Sequence, residues 1–344
     1  MSLARQIIAK RANNLFPKGC QKILLITPPE SPEENFNIEL VLNKRYYCFP
    51  PYGCGVLARQ LDAHGYKPAL IDLNFHVLHM VHEDLTNFDY RIWQKVLYKK
   101  IQAFQPDFIG VSVMFTVTHK PMVEVCRYIK ERHPGLPVIV GGVYVSNDLE
   151  NVLRACPDID FGIFYEGDVA FPDFIDVING KLPIEKISQI AILENNEFVS
   201  TKERVRPDLS KLNTQPDYLD LPIGDYSKYG SLGAYNFLRG DRQAGTAQSN
   251  RGCRGRCTFC SVRKFNELGV RARDVKSVVD EIQFLYEAYG ITHIMWLDDD
   301  LFYKEKRAIN LFNDIVKRNL KITWDASNGV IASAITPELL AAVA

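Results

Sequence analysis

Three cysteines, Cys253, Cys257 and Cys260, stand within eight residues in the stretch SNRGCRGRCTFCSVRKF, 249–265. Thiolates at Cys-x3-Cys-x2-Cys spacing reach three corners of one small inorganic cluster, and cysteine ligation is the usual way proteins hold iron and sulfur. If three irons of a 4Fe-4S cluster are held here, the fourth keeps a position for a small molecule. Gly252 and Gly255 suit the tight turns of such a loop, having no Cβ to clash. Zinc is the alternative, and an inert zinc site asks for four protein ligands. The nearest downstream histidine is His293, inside an apolar run, and no second cysteine pair follows. A chance grouping of buried thiols is the third reading. Spacing alone favours iron and sulfur.

A second polar group ends the apolar run THIMWL, 292–297, in Asp298, Asp299 and Asp300. Carboxylates at a strand end supply acceptors for an ammonium group. Read blandly, the same residues are a solvated acidic loop capping a helix over 304–318.

The elements that must position these groups fall into two series. KILLIT (22–27), PALIDL (68–73), FIGVSVMF (108–115), PVIVGG (137–142) and FGIFYEG (161–167) are strand candidates. Helical spacing between them marks 55–64, 93–104, 121–132 and 148–155, which implies a parallel sheet covered on both faces. Ligands of such sheets sit outside the C-terminal strand ends. IAILENNEFVS reads as a hairpin about Asn195-Asn196, inside an arm over 181–245 that is rich in Pro, Asp and Tyr. Tyr226, Tyr229 and Tyr235 of this arm read as packing residues. A second α/β series starts at the cysteines: strands over 246–249, 292–297 and 322–327, helices between them, and a last helix opened by Thr336-Pro337. The expected organisation is a doubly wound domain (1–180), the arm (181–245) and a further α/β domain (246–344).

Composition narrows the class. A chain of 344 residues accommodates two domains. The 41 basic and 41 acidic residues cancel, so no nucleic-acid footprint is implied. No apolar run approaches the roughly 20 residues of a membrane span. Eight cysteines are too few for a disulfide scaffold; Cys20, Cys48, Cys54, Cys126 and Cys156 read as ordinary buried thiols in a cytoplasmic, reducing setting.

RGCRGRCTFCS closely resembles the cluster loop of the radical S-adenosylmethionine (radical SAM) superfamily, down to the aromatic Phe259 before the last cysteine. The resemblance implies a partial TIM-type barrel whose open iron is chelated by S-adenosylmethionine, with electron transfer giving a 5′-deoxyadenosyl radical. It implies that Phe259 packs near the adenine, that Asp298 and Asp299 meet the amino group, and that Asn328 reaches the ribose or carboxylate. It further implies a reducing electron donor of flavodoxin or ferredoxin type. PPYGCGVLARQLDAHGY, IGVSVM, VIVGG and FGIFYEGD resemble the cobalamin-binding domain preceding many such barrels. Ser112, Gly141 and Gly142 would then line the cobalamin tail, and Glu166 belongs to the matching acidic turn. The Asp-x-His-x-x-Gly signature of other cobalamin proteins is absent, so the cobalt would take no histidine from that motif; His64, His76, His79 and His82 read as surface or packing residues.

The expected function is cobalamin-dependent methyl transfer to an unactivated carbon of a small-molecule substrate. The alternatives are a radical cyclase or rearrangement enzyme, and a non-catalytic zinc- or cluster-binding module. Only about three of the barrel's βα units fit between 246 and 344, so the expectation is a barrel whose C-terminal half is supplied elsewhere, in cis or in trans.

Overall fold

A parallel strand covered on both faces needs no polar side, and the apolar runs of the first half take that form. The computed structural model describes residues 2–201, 203–231, 240 and 242–344. Strands β1 (Lys22–Thr27), β2 (Lys67–Asp72), β3 (Phe108–Ser112), β4 (Val138–Gly141), β5 (Phe161–Ile163), β6 (Ile190–Glu194) and β7 (Glu197–Ser200) join in the order β2-β1-β3-β4-β5-β6-β7. The first five are parallel. Successive side chains alternate between faces. Leu24, Ile26, Ile109, Val111, Val138 and Val140 pack with Trp93, Leu97, Ile101 and Ile129. Ile23, Leu25, Phe108, Ile139 and Phe161 pack with Ile8, Leu61, Phe171 and Phe174. Each such side chain contributes roughly 1.5–3 kcal/mol on burial. Helices therefore clothe both faces, and the sheet is doubly wound as the alternation implies.

The hairpin β6–β7 lies in the stretch read as an arm, yet it pairs antiparallel with β5 and extends the sheet. Asn195 and Asn196 both adopt positive φ, 49° and 67°, the requirement of a two-residue turn matched to strand twist. The helix Leu73–Glu83 was not foreseen. It starts directly at the end of β2, where the Asp72 carboxylate accepts from the Phe75 N–H at 3.1 Å.

The chain divides into two units. The sheet unit takes residues up to Ile38, Pro51–Pro207 and Pro216–Leu221. The second takes Glu39–Pro50, Asp208–Gln215 and Pro222–Ala344. In it, β8 (Ala244–Ala247), β11 (His293–Trp296) and β12 (Thr323–Ala326) form a parallel sheet in the order β12-β11-β8, while β9 (Asn250–Arg251) pairs antiparallel with β10 (Arg271–Ala272). Helices Val275–Tyr289 and Glu305–Lys317 make the crossovers; Asp274 caps the first by accepting from the Ser277 N–H. Phe302 and Phe312 of this unit pack against Trp324, and Phe312 against Trp296. The 39–50 excursion is held by its own unit: Tyr47 bridges to Ser231, the Cys48 N–H donates to the Ser231 carbonyl at 2.8 Å, and Phe49 packs beside Ala244 and Met295. Tyr226 and Tyr229 are buried, as packing residues should be; Tyr235 lies outside the described residues.

One glycine is decisive for the sheet unit. Gly142 has φ 107° and ψ −178°, and a Cβ there would stand 2.4 Å from the Val113 carbonyl oxygen. That backbone region is essentially restricted to glycine and costs other residues about 1–3 kcal/mol before any clash is counted. Gly142→Ala is expected to destabilise the unit by at least that amount, read as a lower urea midpoint.

Candidate functional site

In the sheet unit the strand order reverses between β1 and β3, so the crevice favoured for ligands lies at their C-terminal ends. Ser112 ends β3, half-buried, and with Thr27 at the end of β1 it lies within hydrogen-bonding reach of the buried Cys54 thiol. Burial pushes that thiol up to about 11, against both hydroxyl contacts. Beyond Ser112 the chain leaves Met114, Phe115 and Val117 exposed in succession. Three exposed apolar side chains at one strand end form an apolar rim suited to a flat, largely hydrophobic ligand. The sequence placed interest at the strand end 112–116, which takes in Met114 and Phe115, while Val117 carried no signal.

Gly141 and Gly142 follow β4, but their lack of a side chain already answers to the chain itself. A Cβ on Gly141 would meet Ile163 Cγ2 at 2.6 Å, and Gly142 abuts Val113. Glu166 is buried at the start of the helix Gly167–Ile178, its carbonyl accepting from Gln189 Nε2 at 3.0 Å. His64 sits at the opposite edge of the sheet, before β2, and its Nδ1 lies 2.8 Å from Asp176 Oδ2. His76 is driven by burial down to about 4 and is neutral.

In the second unit the cysteine loop leaves β9 through Gly252, whose φ of 88° and approach to the Gly269 carbonyl admit no Cβ. Cys253 bridges to Leu268, and its Sγ accepts from the Gly255 N–H at 3.2 Å. Burial, followed by the nearby Asp300, Asp299 and Cys260 charges, raises the Cys253 thiol, against that N–H. Cys257 is exposed and Cys260 half-exposed, whereas the five scattered cysteines are all buried. Among the described residues, the single trio of His, Cys, Asp or Glu ligand atoms lying within 4.8 Å of one another is His64, Asp173 and Asp176, so the three loop sulfurs are more widely spread. One tetrahedral zinc, at about 2.3 Å from each sulfur, gathers its thiolates to about 3.8 Å apart. His293 offers no fourth zinc ligand, since Nδ1 meets Thr323 Oγ1 and Nε2 donates to Asp325 Oδ2, both at 2.8 Å.

The three aspartates after β11 look alike in sequence and differ in place. Asp298 is wholly buried and accepts from the Ser249 N–H at 2.9 Å and from Ser249 Oγ at 2.5 Å. Burial pushes it up to about 6, against the Ser249 donors and the charge of Arg307. Arg307 itself donates to the Ser249 and Arg273 carbonyls at 2.9 and 2.8 Å. Asp300 is also buried, in a two-pronged pair with Arg254: Nε to Oδ2 at 2.8 Å and Nη2 to Oδ1 at 3.0 Å. Asp299, between them, is only half-buried; burial raises it to about 6, against the Gly252 N–H and with Asp300 adding to the rise. Asn328 is exposed, its side-chain amide donating to the Leu297 carbonyl at 3.1 Å. Phe259 is 90% exposed and so packs on nothing in its own unit. Asp299, Asn328, Phe259 and the cysteines thus present accessible groups, while Asp298 and Asp300 bind the loop to the strand end.

A doubly wound domain joined to parallel βα units that bear a three-cysteine loop is the class this fold and site define. The B12 binding domain family matches residues 38–175. Over 312 residues the chain is 27% identical to an uncharacterised methyltransferase of Pyrococcus horikoshii, a match covering 90% of this chain and 60% of that protein. It is 24% identical to the anaerobic magnesium-protoporphyrin IX monomethyl ester cyclase of Rubrivivax gelatinosus, covering 82% of this chain and 47% of the cyclase. The solved structure of the radical S-adenosylmethionine methyltransferase TsrM from Kitasatospora setae, with cobalamin and a 4Fe-4S cluster bound, shares the fold at a TM-score of 0.61. That match has 20% identity and spans 87% of this chain and 53% of that one. Over most of its length the chain is similar to these proteins, and over 38–175 to the B12-binding domain. It spans about half to 60% of the length of these relatives. Among the described residues, no helix is long and apolar enough to cross a membrane.

Proposed function

We propose that this chain carries the initiating machinery of a cobalamin-dependent radical SAM enzyme that methylates an unactivated carbon of a small molecule. The observation that carries this reading is the accessible three-cysteine loop beside the half-buried Asp299, in a chain that also holds a B12-binding domain. Cys253, Cys257 and Cys260 would hold a 4Fe-4S cluster. When bound, that cluster and cobalamin supply reductive cleavage of S-adenosylmethionine and methyl delivery. The chain's own groups bind and orient. Asp299 accepts from the amino group of S-adenosylmethionine, Asp298 fixes Ser249 at the entry to the loop, and Asn328 donates toward the nucleoside end. Phe259 offers its exposed ring to the adenine. In the sheet unit, Met114, Phe115 and Val117 form the apolar rim for cobalamin, with Ser112 and the glycine turn at its tail and Glu166 fixing the adjacent turn. A flavodoxin- or ferredoxin-type donor supplies the electron. Cyclisation in place of methyl transfer is the second reading, favoured by the similarity to the protoporphyrin ester cyclase.

Anaerobic reconstitution tests the proposal. About four irons and four sulfides per chain, with a corrinoid spectrum after cobalamin loading, are expected. One bound zinc without labile sulfide sinks it.

The acid dependence of binding follows from Asp299. Its folded value of about 6 lies above the ordinary carboxylate value, so below that pH a proton competes with the ammonium. Affinity of the reconstituted chain for S-adenosylmethionine, measured by equilibrium dialysis, is expected to be highest near pH 7, since the ligand's own ammonium proton is lost from roughly pH 8 upward. It should fall as pH drops through 6, by up to about tenfold per unit. Asp299→Asn should bind weakly at every pH, with the acid limb gone.

A further inference from the structure

The first half of the cysteine loop is tied down at two points. At its entry, Ser249 is gripped by Asp298 and Arg307. One residue past the first cysteine, Arg254 engages Asp300 through Nε and Nη2, donates its backbone N–H to Oδ2 at 3.4 Å, and reaches the Phe302 carbonyl with Nη2 at 3.3 Å. Asp300 is itself anchored, since its carbonyl accepts from Asn250 Nδ2 at 3.1 Å. A planar guanidinium paired along two bonds with a buried carboxylate fixes orientation as well as distance. Past Gly255 the backbone hydrogen bonds of the stretch stay local, Cys260 N–H to the Cys257 carbonyl at 3.3 Å and the Lys264 and Phe265 N–H groups to the Ser261 carbonyl at 2.9 Å, and Cys257 is exposed.

We propose that Arg254 and Asp300 form a positioning latch. It seats the Cys253 half of the loop on the end of β11 before any metal is bound, and leaves Cys257 and Cys260 as the ligands that close onto the cluster. Asp300 then serves the loop and not a bound ligand. The second clause rests on the cluster reading above; the latch itself does not.

Hydrogen–deuterium exchange by mass spectrometry on the metal-free full chain tests it, comparing wild type with Arg254→Gln, Asp300→Asn and the double variant. In wild type the amides of 250–255 are expected to exchange at least tenfold more slowly than those of 257–262. Each single variant should speed 250–255 about tenfold and leave peptides of β1 and β3 unchanged. The double variant should be no faster than either single one, because the two residues act as one unit. After reconstitution, a chelator should strip iron from the single variants about tenfold faster than from wild type. Exchange in Arg254→Gln within twofold of wild type, or single effects that add in the double variant, overturns the latch. If Asp300→Asn raises exchange throughout the chain, the partly exposed Arg254 decides alone. A wild-type chain that takes up no iron and sulfide sinks the cluster reading, and the metal-free exchange still decides the latch.

Discussion

Replacing Cys253, Cys257 or Cys260 singly by Ala is expected to lower the iron retained after anaerobic reconstitution from about four per chain to below one. S-adenosylmethionine cleavage should become undetectable in each case. Two thiolates cannot hold a cluster whose remaining corners face solvent, and the scattered cysteines cannot substitute because all five are buried. Cys54→Ala and Cys156→Ala therefore serve as controls that keep full iron content. Iron and labile-sulfide assays on the same samples check the result, and equal iron in all five proteins would remove the cysteine loop from the metal site.

The second large effect is expected at Asp298, through the buried groups it holds. Asp298→Ala leaves the Ser249 N–H and Oγ without their acceptor and the Arg307 guanidinium without its compensating charge, all in a buried setting. Orphaning buried partners of this kind costs roughly 3–5 kcal/mol. Urea unfolding followed by tryptophan fluorescence should show the loss in the transition reported by Trp296 and Trp324. Cluster retention should fall with it, because Ser249 opens the loop. Asp299→Ala, at a half-buried site, should leave the unfolding midpoint nearly unchanged while weakening S-adenosylmethionine binding. The two neighbours are thereby separated, one by stability and one by affinity.

The parts of this chain written in local pattern were legible. Strands β1 to β5 stand out because both of their faces are covered, and the Asn195-Asn196 turn because two positive φ angles in succession favour those residues. The helix Leu73–Glu83 was hidden: its first residue completes an apolar strand run, and His76, His79 and His82 interrupt the apolar face. The acidic run announced a polar strand end but not its division of labour. Alternating burial along three identical residues depends on where Ser249 and Arg254 come to lie, and no spacing rule encodes that. Met114 and Phe115 close an apolar strand run in the sequence and Val117 follows it, so their exposure was hidden, since exposure is a property of the finished sheet.

The 39–50 excursion carries a consequence for biosynthesis. Its bridging partner Ser231 emerges from the ribosome long after the strands on either side of it, β1 and β2, are able to pair. The sheet unit must therefore assemble around an unsatisfied stretch, with Tyr47 and Phe49 awaiting a later part of the chain. A nascent chain arrested before Ser231 would leave Phe49 without Ala244 and Met295, against which it packs in the finished unit.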